Sequence, residues 1–298
     1  MYSLTIQLIM KINRLNFLRV LGLTGATLAL GKPLKASKNK DVKTEFYGIL
    51  YDSTRCAGCQ ECERVCASEH GLPEPDPEDY PTVDKKRKTN EYRRTVVNAY
   101  ETAHGEIYVK KQCMHCNEPA CDAACLTQAM HKTYEGPVTW RGDKCMGCRY
   151  CMISCPFDIP KFEYQSTNPE IVKCTMCYER VSEGKIPVCA ENCPGEAITF
   201  GTRRELLKEA RKRIVENPDL YYDHIYGEHE AGGTSFLYLS PVPFKELGFK
   251  TNIQNKSYPS LTKGFISAIA PVDILLPAAL LGIYSATKSN KKNTEEEL

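Results

Sequence analysis

Residues 145–157 read CMGCRYCMISCPF, so Cys145, Cys148, Cys151 and Cys155 fall within eleven residues and Pro156 follows the last of them. Twelve further cysteines form three more tetrads: Cys56, Cys59, Cys62, Cys66; Cys113, Cys116, Cys121, Cys125; and Cys174, Cys177, Cys189, Cys193. The total is 16 in 298 residues, and none stands outside a tetrad. An even count in an exported protein suggests disulfides, but pairing does not require recurring Cys-x-x-Cys. Zinc ribbons close one tetrahedral site with two Cys-x-x-Cys pairs. The triple runs of the first and third tetrads have one thiol too many for that. Covalent haem attachment needs Cys-x-x-Cys-His, which does not occur. Lys and Arg number 39 against 37 Asp and Glu, which argues against a nucleic-acid binder.

The spacing Cys-x2-Cys-x2-Cys-x3-Cys followed by Pro is the signature of bacterial ferredoxins. Three thiolates two residues apart wrap a loop around one cubane and ligate three of its irons. Gly58 and Gly147, inside the first Cys-x-x-Cys of their runs, let the backbone approach the cluster. The fourth cysteine leaves the loop and reaches the other cluster of a two-cluster module. Tetrads must therefore pair and exchange their fourth ligand, and four tetrads imply four [4Fe–4S] clusters. Spacing leaves open which tetrad pairs with which, since 19 residues separate the second from the third and 18 the third from the fourth.

The arrangement from Cys56 to Cys193 resembles the four-cluster electron-transfer subunits of membrane-bound bacterial oxidoreductases. In those subunits the second and third tetrads pair, and the first and fourth enclose them. The resemblance implies one cluster on Cys56, Cys59, Cys62 and Cys193, and a second on Cys66, Cys174, Cys177 and Cys189. It implies a third on Cys113, Cys116, Cys121 and Cys155, and a fourth on Cys125, Cys145, Cys148 and Cys151. Some relatives lack the middle cysteine of the third tetrad and hold three irons there; Cys148 is present in this chain. Pro156 and Pro194 follow their tetrads, while Ala67 and Leu126 stand where relatives can carry proline.

The fold implied is α+β: duplicated bacterial-ferredoxin-like modules with a C-terminal transmembrane helix. Residues 1–40 carry no acid, and INRLNFLRVLGLTGATLALGKPLKA resembles a degenerate twin-arginine export signal in which Leu15 replaces the second arginine. Met10 reads as an alternative start. With Leu15 in that place, export either works alone or relies on a partner with an intact signal. The four-cluster domain spans 41–200. Within it 67–112 reads as an insertion whose charges, KKRK at 85–88 among them, form a solvated face. A strand from Phe46 to Tyr51 enters the first cluster loop, and strand, loop and short helix recur four times. A C-terminal extension covers 201–262. A strand at 197–200 leads into it, and it has a helix capped by Thr202 with Glu205 three residues on and ending near Asn217-Pro218, and a strand from Ser235 to Leu239. The stretch YGEHEAGGTSFLYLSPVPFKELGF looks most like the iron–sulfur subunit of hydrogenase-2 type enzymes, and the formate dehydrogenase subunit has a similar Gly-Gly-Thr strand. Residues 264–287 are apolar apart from Asp273, so a transmembrane helix is expected at 263–287, long enough to span a bilayer, and 288–298 form a charged tail. Lys288, Lys291 and Lys292 favour a cytoplasmic C-terminus, with the soluble body on the periplasmic side of the inner membrane.

His115 reads as packing or hydrogen-bonding beside a cluster rather than as a ligand. Trp140 and the tyrosines read as packing, and Lys144, Arg149 and Lys173 either as neighbours that offset cluster charge or as simple surface residues. No dinucleotide loop, phosphate loop or His-Glu-x-x-His motif occurs. The chain is therefore expected to be an electron-transfer subunit, not itself an enzyme. The resemblance implies a periplasmic nickel–iron hydrogenase as catalytic partner and an integral membrane quinone-reactive subunit. The alternative is a molybdopterin oxidoreductase such as formate dehydrogenase or a sulfur-compound reductase. A different class, a secreted structural protein stapled by zinc or disulfides, would be colourless.

Overall fold

The computed structural model describes residues 45–76 and 78–295, so the signal-like segment 1–40 lies outside the described residues. The strands are β1 (Tyr47–Asp52), β2 (Val96–Thr102), β3 (Gly105–Lys111), β4 (Met130–Lys132), β5 (Val138–Trp140), β6 (Lys161–Phe162), β7 (Ile171–Val172), β8 (Ile198–Thr202) and β9 (Phe236–Leu239). The helices are α1 (Glu61–Glu69), α2 (Ala120–Ala123), α3 (Tyr150–Ser154), α4 (Tyr178–Ser182), α5 (Val188–Glu191), α6 (Arg203–Glu216) and α7 (Tyr258–Glu295). The α+β class expected from the sequence holds. So does the recurrence of strand, cysteine loop and short helix: β1 leads to α1, β3 to α2, β5 to α3 and β7 to α4.

The three-stranded sheet β8-β1-β9 organises the body. β1 runs antiparallel to β8, with Tyr47 opposite Thr202, and parallel to β9, with Ile49 opposite Phe236. Alternation of side chains along a strand sends Ile49, Tyr51, Phe236 and Tyr238 into the core beside the cysteine loops. Leu50, Leu237 and Leu239 point the other way, onto Leu206, Ala210 and Ile214 of α6. Those three recur every four residues, the apolar stripe of a helix laid on a sheet. α6 starts where its cap dictates. Glu205 N–H donates to Thr202 Oγ1 at 3.4 Å, and that hydroxyl donates to the Glu205 carboxylate at 2.7 Å. The chain after the last cysteine thus supplies two of the three strands of the central sheet, β8 and β9, and the helix that covers it.

In the tract 67–112 Lys85, Lys86 and Lys88 are exposed, but part of the tract is core rather than a solvated face. Its hairpin β2–β3 pairs Val96 with Lys111 through to Thr102 with Gly105, and Val97, Ala99, Ile107 and Val109 are core residues. Two of its charges are buried, Arg87 and Lys110. The reason for Arg87 is an internal counter-charge: its guanidinium clasps Glu63 of α1 and donates to the Val97 carbonyl.

α7 is described by itself. Its stretch Tyr258–Ser285, 28 residues of mean hydropathy 2.0, is long and apolar enough to cross a membrane. At 1.5 Å per residue it reaches about 42 Å, against about 30 Å of hydrocarbon. The helix runs through Pro271 and Pro277, and Phe265, Leu275 and Leu281 are exposed along it.

Candidate functional site

The four cysteine loops come in two conformational kinds. In the first and third, Gly58 and Gly147 share φ +71°. The residues before the following helices, Gln60 and Arg149, share a left-handed backbone at φ 58° and 60°. That conformation costs a non-glycine residue about 1–2 kcal/mol, and finding it at matching places marks a built, repeated loop. In the second and fourth tetrads the left-handed residue instead falls just before or at the second cysteine, at His115 (φ 48°), Met176 (φ 56°) and Cys177 (φ 47°). Each of these two loops then passes a proline in extended conformation, Pro119 or Pro187, into a four-residue helix. Gly58 has a further steric reason. A Cβ there would lie 2.3 Å from the Tyr108 ring, whereas at Gly147 the nearest atom is Phe162 Cε2 at 3.9 Å.

All sixteen cysteines are free thiols. Their proximity does not follow chain order. Cys193 and Cys59 lie close enough to Cys56 to disfavour its ionisation. Cys62 feels Cys189, and Cys66 feels Cys174, Cys189 and Cys177. Cys116 and Cys121 both feel Cys113 and Cys155, while Cys151 feels Cys125, Cys145 and Cys148. The first tetrad is therefore folded against the fourth, and the second against the third. Cys59 and Cys148 are exposed, one at each of the two triple-cysteine loops, while Cys62, Cys66, Cys113, Cys116, Cys121, Cys151, Cys177 and Cys189 are buried.

Burial is the main force on these thiols. It pushes Cys177 up to about 12 and Cys151 up to about 11, and neighbouring sulfurs add to the effect. Cys125 goes the other way. Burial alone would raise it, but the Met130 N–H, 3.4 Å away, and the Thr127 hydroxyl hold it below the usual thiol range. Thiols crowded out of water in fours need a cationic partner to ionise, and a bound metal deprotonates a coordinating thiol outright.

The residues fit iron–sulfur cubanes on two observations. One thiol set, Cys125, Cys145, Cys148 and Cys151, lines a single cavity with Met130, Trp140 and Ile171, with about 310 Å³ of atom-free space including its mouth. The second observation is His115, buried between the second-tetrad cysteines Cys113 and Cys116. Its Nδ1 accepts from Val138 N–H at 2.9 Å, so Nε2 carries the proton, and that buried N–H has no partner.

The remaining expectations divide. Trp140 packs with Cys145, Cys125 and Met130 in a small apolar cluster, as packing around a site. Arg149 lies over the rings of Phe162 and Tyr164, and Lys144 is exposed at the end of a short 3₁₀ turn. Lys173 is buried beside Cys113 and Cys121, its ammonium donating to the Val138 and Cys174 carbonyls. Two residues escaped sequence reasoning. His70 Nε2 lies 3.9 Å from Cys177 Sγ, and Lys110 is buried among Cys62, Cys66, Cys174 and Cys189. Lys110 stands between Val109 and Lys111 on β3, and nothing local in the sequence marks it as buried.

Residues 105–203 match the 4Fe-4S dicluster domain family. A protein of Nitratidesulfovibrio vulgaris strain Hildenborough is 43% identical over 294 residues, covering 96% of this chain and 80% of the relative. The hydrogenase-2 operon protein HybA of Escherichia coli O157:H7 is 33% identical over 336 residues, covering 96% of this chain and 98% of the relative. The iron–sulfur subunit of the nitrate-inducible formate dehydrogenase of Escherichia coli K12 is 29% identical over 272 residues, covering 88% and 92%.

Proposed function

This chain belongs to the family of ferredoxin-type iron–sulfur electron-transfer subunits that includes the hydrogenase-2 operon protein HybA, and on that premise we propose that it carries four [4Fe–4S] clusters between a catalytic subunit and a quinone-reactive membrane subunit. The ligand sets are Cys56, Cys59, Cys62 with Cys193; Cys66 with Cys174, Cys177, Cys189; Cys113, Cys116, Cys121 with Cys155; and Cys125 with Cys145, Cys148, Cys151. The observation that carries this reading is the crossed proximity: Cys193 is apposed to Cys56, and Cys155 to Cys116 and Cys121, across long stretches of chain. Bound clusters supply one-electron carriers.

The protein's own groups do the rest. Tyr51, Tyr238, Phe236 and Met176 wall the sulfurs from water. Backbone N–H groups and the His115 Nε2–H supply donors toward the sites. The exposed Cys59 and Cys148 bring two of the four sets to the surface, where electrons can arrive and leave. α7 anchors the body in the cytoplasmic membrane, with the body on the periplasmic side.

The catalytic partner is a nickel–iron hydrogenase. The near-complete alignment to HybA supports this, since the relative is matched from end to end. A molybdopterin enzyme is the second reading, favoured by the similarity to the formate dehydrogenase subunit. Purification from detergent-solubilised membranes under anaerobic conditions tests both levels. The expected result is a brown preparation with about sixteen iron and sixteen sulfide per chain, and nickel in the co-purifying large subunit. Molybdenum in place of nickel moves the assignment to the second reading, and zinc without iron removes the function altogether.

A further inference from the structure

Among the described residues Lys110 is the most deeply buried lysine or arginine and has no carboxylate partner. It sits on β3 with 1% of its surface exposed. Its ammonium donates to Thr95 Oγ1 at 2.5 Å and to Gln112 Oε1 at 3.1 Å, both neutral oxygens. The cage is itself braced: Gln112 Nε2 donates to the Tyr238 hydroxyl at 2.6 Å, and that hydroxyl donates to the Lys110 carbonyl at 2.9 Å. Glu63, the acid that feels its charge, is already clasped by Arg87. A buried charge without an opposite charge is strongly unfavourable, so the site around Lys110 must itself be negative when the protein is complete. The groups it acts on are the sulfurs of Cys189, Cys62, Cys174 and Cys66. Three of these belong to one ligand set.

We propose that Lys110 is the built-in counter-charge of the cluster on Cys66, Cys174, Cys177 and Cys189, and that it sets this cluster's potential above that of the same site without it. The inference rests on the ligand sets proposed above. The physics is direct. Reduction adds one negative charge to a site out of water, and a fixed cation nearby stabilises the reduced form over the oxidised one. Net charge and burial are the levers by which a protein moves such potentials. Cys62 couples the same lysine to the first ligand set, so that cluster follows more weakly. The sets containing Cys116 and Cys151 feel other groups and do not follow. A residue from the tract between the first two tetrads thus grades the potentials along the wire.

The test is a potentiometric titration of the anaerobically purified full chain, followed by electron paramagnetic resonance, on wild type, Lys110→Met and Lys110→Arg. The Met variant keeps the length of the side chain and loses the charge. One midpoint is expected to fall clearly, a second slightly and two not at all, with the Arg variant restoring the first. Four unchanged midpoints in a fully loaded Met variant overturn the proposal. If the Met variant does not retain its clusters, Thr95→Val keeps the lysine and removes one of the oxygens that hold its ammonium. The same midpoint must then be the one that moves, and a shift common to all four, or to none, overturns the proposal. Failure of the ligand sets is distinguishable: wild type itself would then lack four clusters.

Discussion

The guanidinium of Arg87 clasps the carboxylate of Glu63 through two hydrogen bonds of 2.6 and 3.1 Å, with both side chains out of contact with water. Arg87 comes from the basic run 85–88, and Glu63 stands between Cys62 and Cys66 on α1. The Glu63 carboxylate also accepts the Val97 N–H at 2.6 Å. One ion pair therefore ties the first cysteine helix to the β2–β3 hairpin.

Removing Arg87 leaves the buried Glu63 carboxylate without its partner, which costs about 3–5 kcal/mol, whereas removing Glu63 still leaves Arg87 with Asp79 at 3.5 Å and costs less. Arg87→Met should lower the thermal midpoint of the holoprotein markedly, and Glu63→Gln by less. The double variant should cost much less than the sum of the two. Calorimetry on the three variants checks this, and full additivity would contradict it.

The two glycines of the matching loops should respond unequally. Both hold φ +71°, so alanine costs about 1–2 kcal/mol at either one from backbone strain. At Gly58 the new methyl also meets the Tyr108 ring, which adds about 1–3 kcal/mol of overpacking. Gly58→Ala should therefore release iron at lower denaturant than Gly147→Ala, followed by loss of visible absorbance.

His224 Nε2 donates to the Glu230 carboxylate at 2.8 Å. That bond holds the imidazole above its usual 6.5 although burial opposes it, and Glu228 and Asp223 act in the same direction. A folded value raised above the unfolded one means that the stabilisation is complete below pH 6.5 and fades as pH rises through the folded value. The thermal midpoint should fall from pH 6 to 8 in wild type and fall less in His224→Gln. Equal slopes in the two proteins would exclude this pair as the cause.

Local chemistry was legible in the sequence and long-range burial was not. The first and third tetrads could be read because three ligands of a cluster lie within seven residues of one loop. The cap at Thr202 could be read because its partner, Glu205, is three residues away. The roles of Arg87 and Lys110 depend on groups brought from elsewhere: Glu63 for the first, and the sulfurs of the first and fourth tetrads for the second. In a sequence, charged residues in strands and loops read as solvent-facing, and only the fold shows that a compensating charge waits inside. The parallel pairing of β1 with β9 was equally hidden, although the strand at 235–239 was expected within one residue of Phe236–Leu239.

The central claim is that neighbouring cysteines of one tetrad serve different clusters. Electron paramagnetic resonance of the reduced protein, comparing Cys155→Ser, Cys113→Ser and Cys151→Ser, addresses it most directly. Cys155→Ser should disturb the same signal as Cys113→Ser, 42 positions away in the chain, and leave intact the one disturbed by Cys151→Ser. Loss of one common signal in Cys155→Ser and Cys151→Ser, with Cys113→Ser affecting another, would show that each tetrad keeps its own cluster and would contradict the crossed arrangement.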